Sequence, residues 1–484
     1  MNIIGPILYQ CKLNPLTLAI HVPGMKFGAV TYGVLEKYIY SVAGIALKTG
    51  IAPGDIVATY IGDTVLNTVV TLGLMHAGAI TLALRDLSPV PGITPVAILT
   101  DQQSRTRADA TVVTVDQSWL EGDAAGRDPA RVEADDICRI ILTSGSTGVS
   151  KGVALSHRAM GGRTWAYSTL RGPRFAHCPR FFCDLGIGTS PGIHYALSVL
   201  GRGATIYFLG PEPSDILQTI NLHQIQGMGT SPYGLGEFLK FFESDSAFQM
   251  NFDHIICQGA ALSRELSRRA RARLCQNLYS SFGATETSTV AFGPASVIEQ
   301  TPGAVGYVQP SAVVEAVDSA GKVLPTLQDG SLRIRSRYMA SGYLGDPETT
   351  GKLFRDGYFY SGDVGHLRPD GMLVVSGREK TALNIGGATI NPEQVEEVIE
   401  SFPEIREAGV FADNNNLGIS ELYALLVARS PINEEALRVH CAKRLPSSCV
   451  PVRFFIVEAL PRGAQGKLER HGLRALAAVE RSAN

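Results

Sequence analysis

Hydrophobic positions along the first three-quarters of the chain come in short β-branched runs: "DIVATYIG", "ATVVTV", "CRIILTSG", "ATIYFLG" and "HIICQGAAL". Longer amphipathic segments separate them, among them "PSDILQTINLHQIQG" and the arginine-rich "SRELSRRARARLCQNL". That alternation predicts βαβ units and parallel sheets. From about Gly306 the texture becomes strand-and-turn, and "VVEAVDSAGKVLP" and "GSLRIRSRYM" predict a small antiparallel, barrel-like piece. After Lys380 a compact α+β pattern follows. There Asn391 suits a helix N-cap, Pro392 the first helical position and Gln394 the partner place of a capping box. The expected class is α/β. A large N-terminal domain over residues 1–379 carries parallel-rich sheets, helices and the barrel-like subdomain, and a small α+β domain spans 380–484.

One apolar stretch needs separate treatment. Thr64 to Leu84 has no charged residue apart from His76 and is long enough to span a membrane. Asn67, several threonines and glycines and the turn-like "HAGA" argue instead for a buried helix followed by a buried strand. At 484 residues the chain exceeds one ordinary core. A net charge of −2 offers no general attraction to nucleic acid or an anionic membrane. Eight cysteines without CxxC pairs, and no basic segment ahead of the first apolar residues, predict reduced thiols in the cytoplasm. His177, Cys178 and Cys183 are the nearest approach to a metal cluster, and a weak one.

Chemistry enters with "LTSGSTGVSKG", Leu142 to Gly152. Its small residues let successive backbone N–H groups face one concavity, a nest for phosphate oxygens. Ser144, Ser146 and Thr147 add hydroxyl donors and Lys151 a point charge. A solvated surface turn is the plain alternative, and the loop alone does not decide. It is not a Walker A loop: Ser150 replaces the second glycine, and Gly152 follows the lysine where a magnesium-binding hydroxyl belongs. "GTSPG" at 188–192 matches the hydrolase elbow GxSxG. However, Pro191 has no N–H to give an oxyanion, so the match carries no chemistry.

"LTSGSTGVSKG" has company in "ICQGAALS" (256–263), "YSSFGATET" (279–287), "GYFYSGDVGHLRPDGMLVVSGREK" (357–380) and "LPRGAQGKLER" (460–470). Together and in this order they resemble the motifs of the adenylate-forming superfamily, which includes acyl-CoA synthetases, peptide-synthetase adenylation domains and luciferases. The resemblance implies a carboxylate attacking the α-phosphorus of ATP, with pyrophosphate leaving. Thr143, Ser144, Gly145, Ser146, Thr147 and Gly148 would hold the β- and γ-phosphates together with Lys151. Gly259, Ala260, Ala261, Ser281, Phe282 and Gly283 would line the adenine side. Thr285 would meet the α-phosphate and Glu286 would ligate Mg²⁺. Asp363 would accept from the ribose hydroxyls, reinforced by Arg378, and Lys467 would meet the charge that gathers on the carboxylate and α-phosphate. The same resemblance makes the C-terminal domain mobile, with Lys380 as its hinge. Gly386 and Gly387 of "NIGGAT" would then face the adenylate and admit a thiol-bearing arm.

The function expected is an ATP-dependent, AMP-forming ligase that joins a small carboxylic acid to coenzyme A. "INPEQVEEVI" looks more like an acyl-CoA ligase than a peptide-synthetase domain. One alternative is an enzyme loading a carrier-protein phosphopantetheine. Another is an inactive nucleotide-binding interaction module, which the retained Lys151, Glu286, Asp363, Arg378 and Lys467 argue against. No nucleic acid or membrane span is expected, and a homodimer is one possible assembly. The acid is not legible. Asp184 could pair with an amino group or merely cap a turn, and Gly227, Gly229, Gly234 and Gly236 would leave room for an extended hydrophobic acyl or aryl acid. The histidine common in acyl-CoA synthetases is absent from "FFCDLG".

Overall fold

The structure, a computed structural model, describes all residues except 1, 26–27, 103–108, 123–127, 144–149, 245–251, 380–382, 386–387, 415–419, 464–465 and 484. Ser144, Gly145, Ser146, Thr147, Gly148, Lys380, Gly386 and Gly387 therefore lie outside the described residues.

Two large sheets build the N-terminal part. In the larger, the strands Leu18–His21, Thr205–Phe208, Arg180–Cys183, Gly227–Thr230, His254–Gln258 and Leu278–Ala284 run parallel in that spatial order. The four inner strands, Thr205–Phe208, Arg180–Cys183, Gly227–Thr230 and His254–Gln258, are buried almost throughout, as strands covered on both faces must be. The second sheet centres on the parallel strands Ile56–Tyr60, Ile80–Ala83 and Ile137–Thr143. A single core cluster joins residues of both sheets, such as Phe181, Ile256, Leu99 and Ile141, to helix residues including Leu35, Val69, Met160 and Val199. The helices between the sheets are thus shared by both.

The stretch Thr64–Leu84 resolves as expected: a buried helix, Thr64–His76, then the strand Ile80–Ala83. Asp63 caps the helix by accepting from Leu66 N at 2.9 Å. Gly78 makes the turn at φ +80°, which a side chain would resist. Among the described residues no helix is long and apolar enough to cross a membrane.

The antiparallel piece differs from expectation in two respects. It begins earlier, with Ser288–Pro294 pairing back on Leu278–Ala284, and it continues the larger sheet through Ala304–Val308, Met372–Arg378, Tyr358–Leu367 and Gly330–Ser336. A hairpin at "GATETST" switches the direction. Texture read residue by residue misses this because Leu278–Ala284 serves both regimes. The switch matters for function: the strand that ends the parallel run is the one bearing "SSFGATE".

The C-terminal part has its own three-stranded sheet, Ile405–Asn414, Ser420–Ala428 and Arg453–Ile456, with two core clusters. Asn391 caps the helix Pro392–Glu400 as expected, accepting from Glu393 N at 3.1 Å. The last helix, Arg470–Ala483, is anchored by Arg470. Its guanidinium grips buried Glu396 at 2.6 and 2.8 Å and also reaches Glu393 at 3.0 Å. Glu396 further accepts from Val410 N at 2.7 Å. Removing one partner of a buried pair strands the other, at a cost of about 3–5 kcal/mol. Arg470→Met should therefore lower the denaturation midpoint of the C-terminal unit, and adding Glu396→Met should restore much of it. An unchanged midpoint in the single variant would show that the pair contributes nothing.

Candidate active site

The C-terminal ends of the parallel strands form one row: Asp184 follows Cys183, Gly259 follows Gln258, and Ser281 pairs with Gln258. In open α/β sheets this edge is where ligands bind. Gly259, at φ +98°, starts the exposed strip Gly259, Ala260 and Ala261. Ser281, Phe282 and Gly283 lie one strand away, with Phe282 also packed against the core cluster of Val290 and Leu332.

Past Gly283 the hairpin carries Thr285 and Glu286. Arg163, fully buried in the helix His157–Thr169, fixes this turn. It donates to the carbonyls of Thr285 at 2.8 Å, Glu286 at 3.0 Å and Tyr338 at 2.9 Å. Ala340 N adds a second donor to the Glu286 carbonyl at 2.7 Å. The Glu286 carboxylate, itself buried, accepts from Tyr343 Oη at 2.6 Å.

Lys151 stands at the other end of a hairpin. The strands Ile137–Thr143 and Lys151–Ser156 pair antiparallel, Thr143 opposite Lys151. Lys151 thus begins a strand, whereas the lysine of a Walker A loop leads into a helix. Lys151 Nζ bonds Asp346 at 2.8 Å and Thr349 at 2.6 Å, and lies 5.5 Å from the Tyr343 ring centroid. That lysine together with Thr349 N holds the Asp346 carboxyl down to about 2. Lys151 thus approaches Glu286 through Tyr343.

Asp363 and Arg378 face each other across paired strands, Arg378 Nε donating to Asp363 at 2.8 Å. Asp363 is buried and Arg378 exposed. Lys467 comes from the C-terminal part and reaches the same place. Its side chain is exposed, yet surrounding protein is the first of the causes that push its ammonium below the usual lysine range. Repulsion from Arg378 adds to the drop, while Glu286 and Asp363 oppose it. The loop seats on Tyr233, whose ring lies 5.6 Å below the Arg462 guanidinium, and Arg264 reaches Glu397 at 3.3 Å. Groups from four separate motifs thus share one electrostatic neighbourhood. Arg163, Tyr343, Asp346 and Thr349, which hold it, escaped the sequence reading.

The space expected beside the glycines is filled. A methyl at Gly229 would meet the rings of Tyr195 and Phe181, one at Gly227 would meet His254 and Phe181, and one at Gly234 would meet the Asp184 carboxylate. At three of the four positions the missing side chain admits a neighbouring one; of the four only Gly236 has open space beside it. Asp184 is no surface turn either. It accepts from Thr230 Oγ1 at 2.5 Å, its buried Oδ1 has no partner among the described residues, and burial pushes its carboxyl up to about 7.

Residues 10–344 match the family described as AMP-binding enzyme, and residues 394–467 match the AMP-binding enzyme C-terminal domain. The chain belongs to the AMP-binding enzyme family. Among curated relatives, a 4-chlorobenzoate–CoA ligase of an Arthrobacter species is 26% identical, covering 92% of this chain and 90% of its own. An L-proline–[L-prolyl-carrier protein] ligase of Pseudomonas fluorescens is also 26% identical, over 92% of this chain and 94% of its own. In fold, the chain resembles ATP-bound MatB from Rhodopseudomonas palustris with a TM-score of 0.85 at 23% identity, covering 98% of this chain and 99% of that one.

Asp184 gives a prediction of definite sign. A free aspartate titrates near pH 4. Between about pH 4 and 7 the folded protein keeps a proton that the unfolded chain releases, so this residue's contribution to stability falls as pH rises through that window. Asp184→Asn removes the dependence. The variant's stability relative to wild type should rise between pH 5 and pH 8, by on the order of 2–4 kcal/mol. Taking the difference cancels the other buried groups, Glu400 pushed up to about 8 and His254 down to about 3. A flat difference would show that Asp184 is ionised in the folded protein.

Proposed function

We propose that this site activates a carboxylic acid with ATP, releasing pyrophosphate, and passes the acyl group from the adenylate to the thiol of coenzyme A. The protein is an AMP-forming acid–thiol ligase of the acyl-CoA synthetase type. The observation that carries the residue roles is geometric: Glu286, held by Arg163 and Tyr343, and the Asp363–Arg378 pair lie along one sheet, while the loop bearing Lys467 packs on Tyr233.

In-line displacement at phosphorus asks the protein for alignment and charge stabilisation more than for covalent help. Asp363 takes the ribose hydroxyls, and Arg378 holds its carboxylate in place. Phe282, Gly259, Ala260 and Ala261 border the adenine. Thr143, the adjoining Ser/Gly loop and Lys151 take the β- and γ-phosphates. Lys151 has Asp346 as its counter-ion meanwhile, so that ion pair opens when the phosphates arrive. Thr285 meets the α-phosphate, and its carbonyl, held by Arg163, fixes the turn. Mg²⁺ would supply charge neutralisation on the phosphates, and Glu286, a single buried carboxylate with one oxygen already oriented by Tyr343, suits an ion held mainly by phosphates and water. Lys467 bridges the attacking carboxylate and the α-phosphate. With the adenylate formed, the C-terminal unit turns about Lys380 and brings Gly386 and Gly387 to the thiol's approach.

Coenzyme A is preferred to a carrier protein on the form of the segment "INPEQVEEVI" and on relatives such as the chlorobenzoate ligase. The test separates the half-reactions. Lys467→Ala should lose ATP–pyrophosphate exchange by about 100- to 1,000-fold, the scale of one lost transition-state charge contact. Thioester formation from pre-made acyl-adenylate should stay near wild type. Equal loss in both steps would remove Lys467 from this role.

A further inference from the structure

The strand that begins with Lys151 is paired along its free edge by a second short segment. Tyr343 and Leu344 lie antiparallel to Val153 and Gly152, so the chain past Leu344 arrives beside Lys151. It turns there into the helix Pro347–Leu353, and Asp346 is the cap of that helix. Asp346 Oδ1 accepts from Thr349 N at 2.9 Å. The Thr350 hydroxyl donates to the Asp346 carbonyl at 2.8 Å and accepts from Tyr343 N at 2.9 Å, which closes the turn. Asp346 therefore presents Oδ2 to Lys151 from a fixed position.

The lysine ammonium has three hydrogens. One goes to Asp346 Oδ2 at 2.8 Å and one to Thr349 Oγ1 at 2.6 Å, and the Tyr343 ring centroid stands 5.5 Å away. A lysine–carboxylate pair at a protein surface is ordinarily loose and contributes little. This one is half-screened, with side chains 22% and 33% exposed, and both ends are anchored, the lysine by a strand and the acid by a helix cap. While it is closed, the bonds a phosphate would need from Lys151 are engaged by protein. A phosphate must displace Asp346, and Asp346 cannot follow the lysine without giving up the cap. Its carboxyl, held far below the usual range, stays ionised at neutral pH.

We propose that Asp346 is a built-in competitor for Lys151, which lowers the site's affinity for ATP and for the departing pyrophosphate and leaves its affinity for AMP unchanged. The residue acts through Lys151 and touches no reacting atom, so it is a positioning residue. Only the fraction of protein with the pair open can give Lys151 to a polyphosphate, and that fraction scales the apparent affinity. The gain falls on product release. Once the adenylate has formed, pyrophosphate is held by the same lysine, and a fixed carboxylate beside it takes the ammonium back. This rests on the ligase reading above.

Asp346→Asn tests it, because asparagine caps a helix as aspartate does and only the charge is lost. ATP, inorganic pyrophosphate and AMP, each with magnesium, are titrated calorimetrically into the whole enzyme without any acid. The variant should bind ATP and pyrophosphate about 3- to 10-fold more tightly, the scale of one half-screened charge pair, and AMP as wild type does. Unchanged binding of ATP and pyrophosphate overturns the proposal. Weaker binding overturns it too, since Asp346 would then be orienting Lys151 for the phosphates. An equal gain for AMP also overturns it, because a general change of charge or fold moves all three ligands together. Asp346→Ser, a second neutral cap, decides the matter if the asparagine variant does not fold. A wild type that binds these ligands yet exchanges pyrophosphate with no acid overturns the ligase reading, a result separate from the titrations.

Discussion

Glu286 is a buried acid at the turn where the larger sheet changes direction, and much of the surrounding structure serves to hold it there. Its main chain is clamped by Arg163 and Ala340, its side chain by Tyr343, and cations approach from three directions. None of these contacts is local in sequence. The helix His157–Thr169, the hairpin after Leu278–Ala284, the segment around Tyr343 and the loop bearing Lys467 have to be assembled together before the acid is held. The continuous larger sheet achieves this by switching from parallel to antiparallel pairing at that hairpin.

The clamp also explains how charge is tolerated inside. A guanidinium among main-chain carbonyls has strong, fixed acceptors and acts as part of the scaffold, which is the condition of Arg163. One among hydroxyls, an amide and aromatic faces is held by several weaker contacts, which is the condition of the buried Arg171, bonded to Tyr195, Gln258, Ser281 and Thr289 over the Tyr167 ring. Burial without an acid therefore does not have a single meaning. The acceptors decide it.

Much of this was legible in the sequence, and the misses share a cause. Parallel strands, the buried pair Thr64–His76 and Ile80–Ala83, and the helix cap at Asn391 follow from periodicity and capping chemistry, which are local. Asp363, Arg378, Glu286 and Lys467 could be singled out because ordered motifs resemble a family, and the fold draws them together. Arg163, Arg171 and Tyr343 were not legible, since an arginine in "GGRTWAYSTLR" reads as a solvated helix face and nothing local marks it as interior. Gly227 and Gly229 misled for a related reason. A missing side chain marks close approach, but sequence does not tell whether a ligand or Tyr195 does the approaching.

The central claim is that a carboxylate oxygen attacks the α-phosphorus of ATP, and one isotope measurement tests it directly. With an acid labelled by ¹⁸O in its carboxylate, complete turnover with coenzyme A should leave one labelled oxygen in AMP, because the bridging oxygen departs with the nucleotide when the thiol takes the acyl carbon. Pyrophosphate should carry none. Label in inorganic phosphate together with ADP, or AMP free of label, would contradict the account.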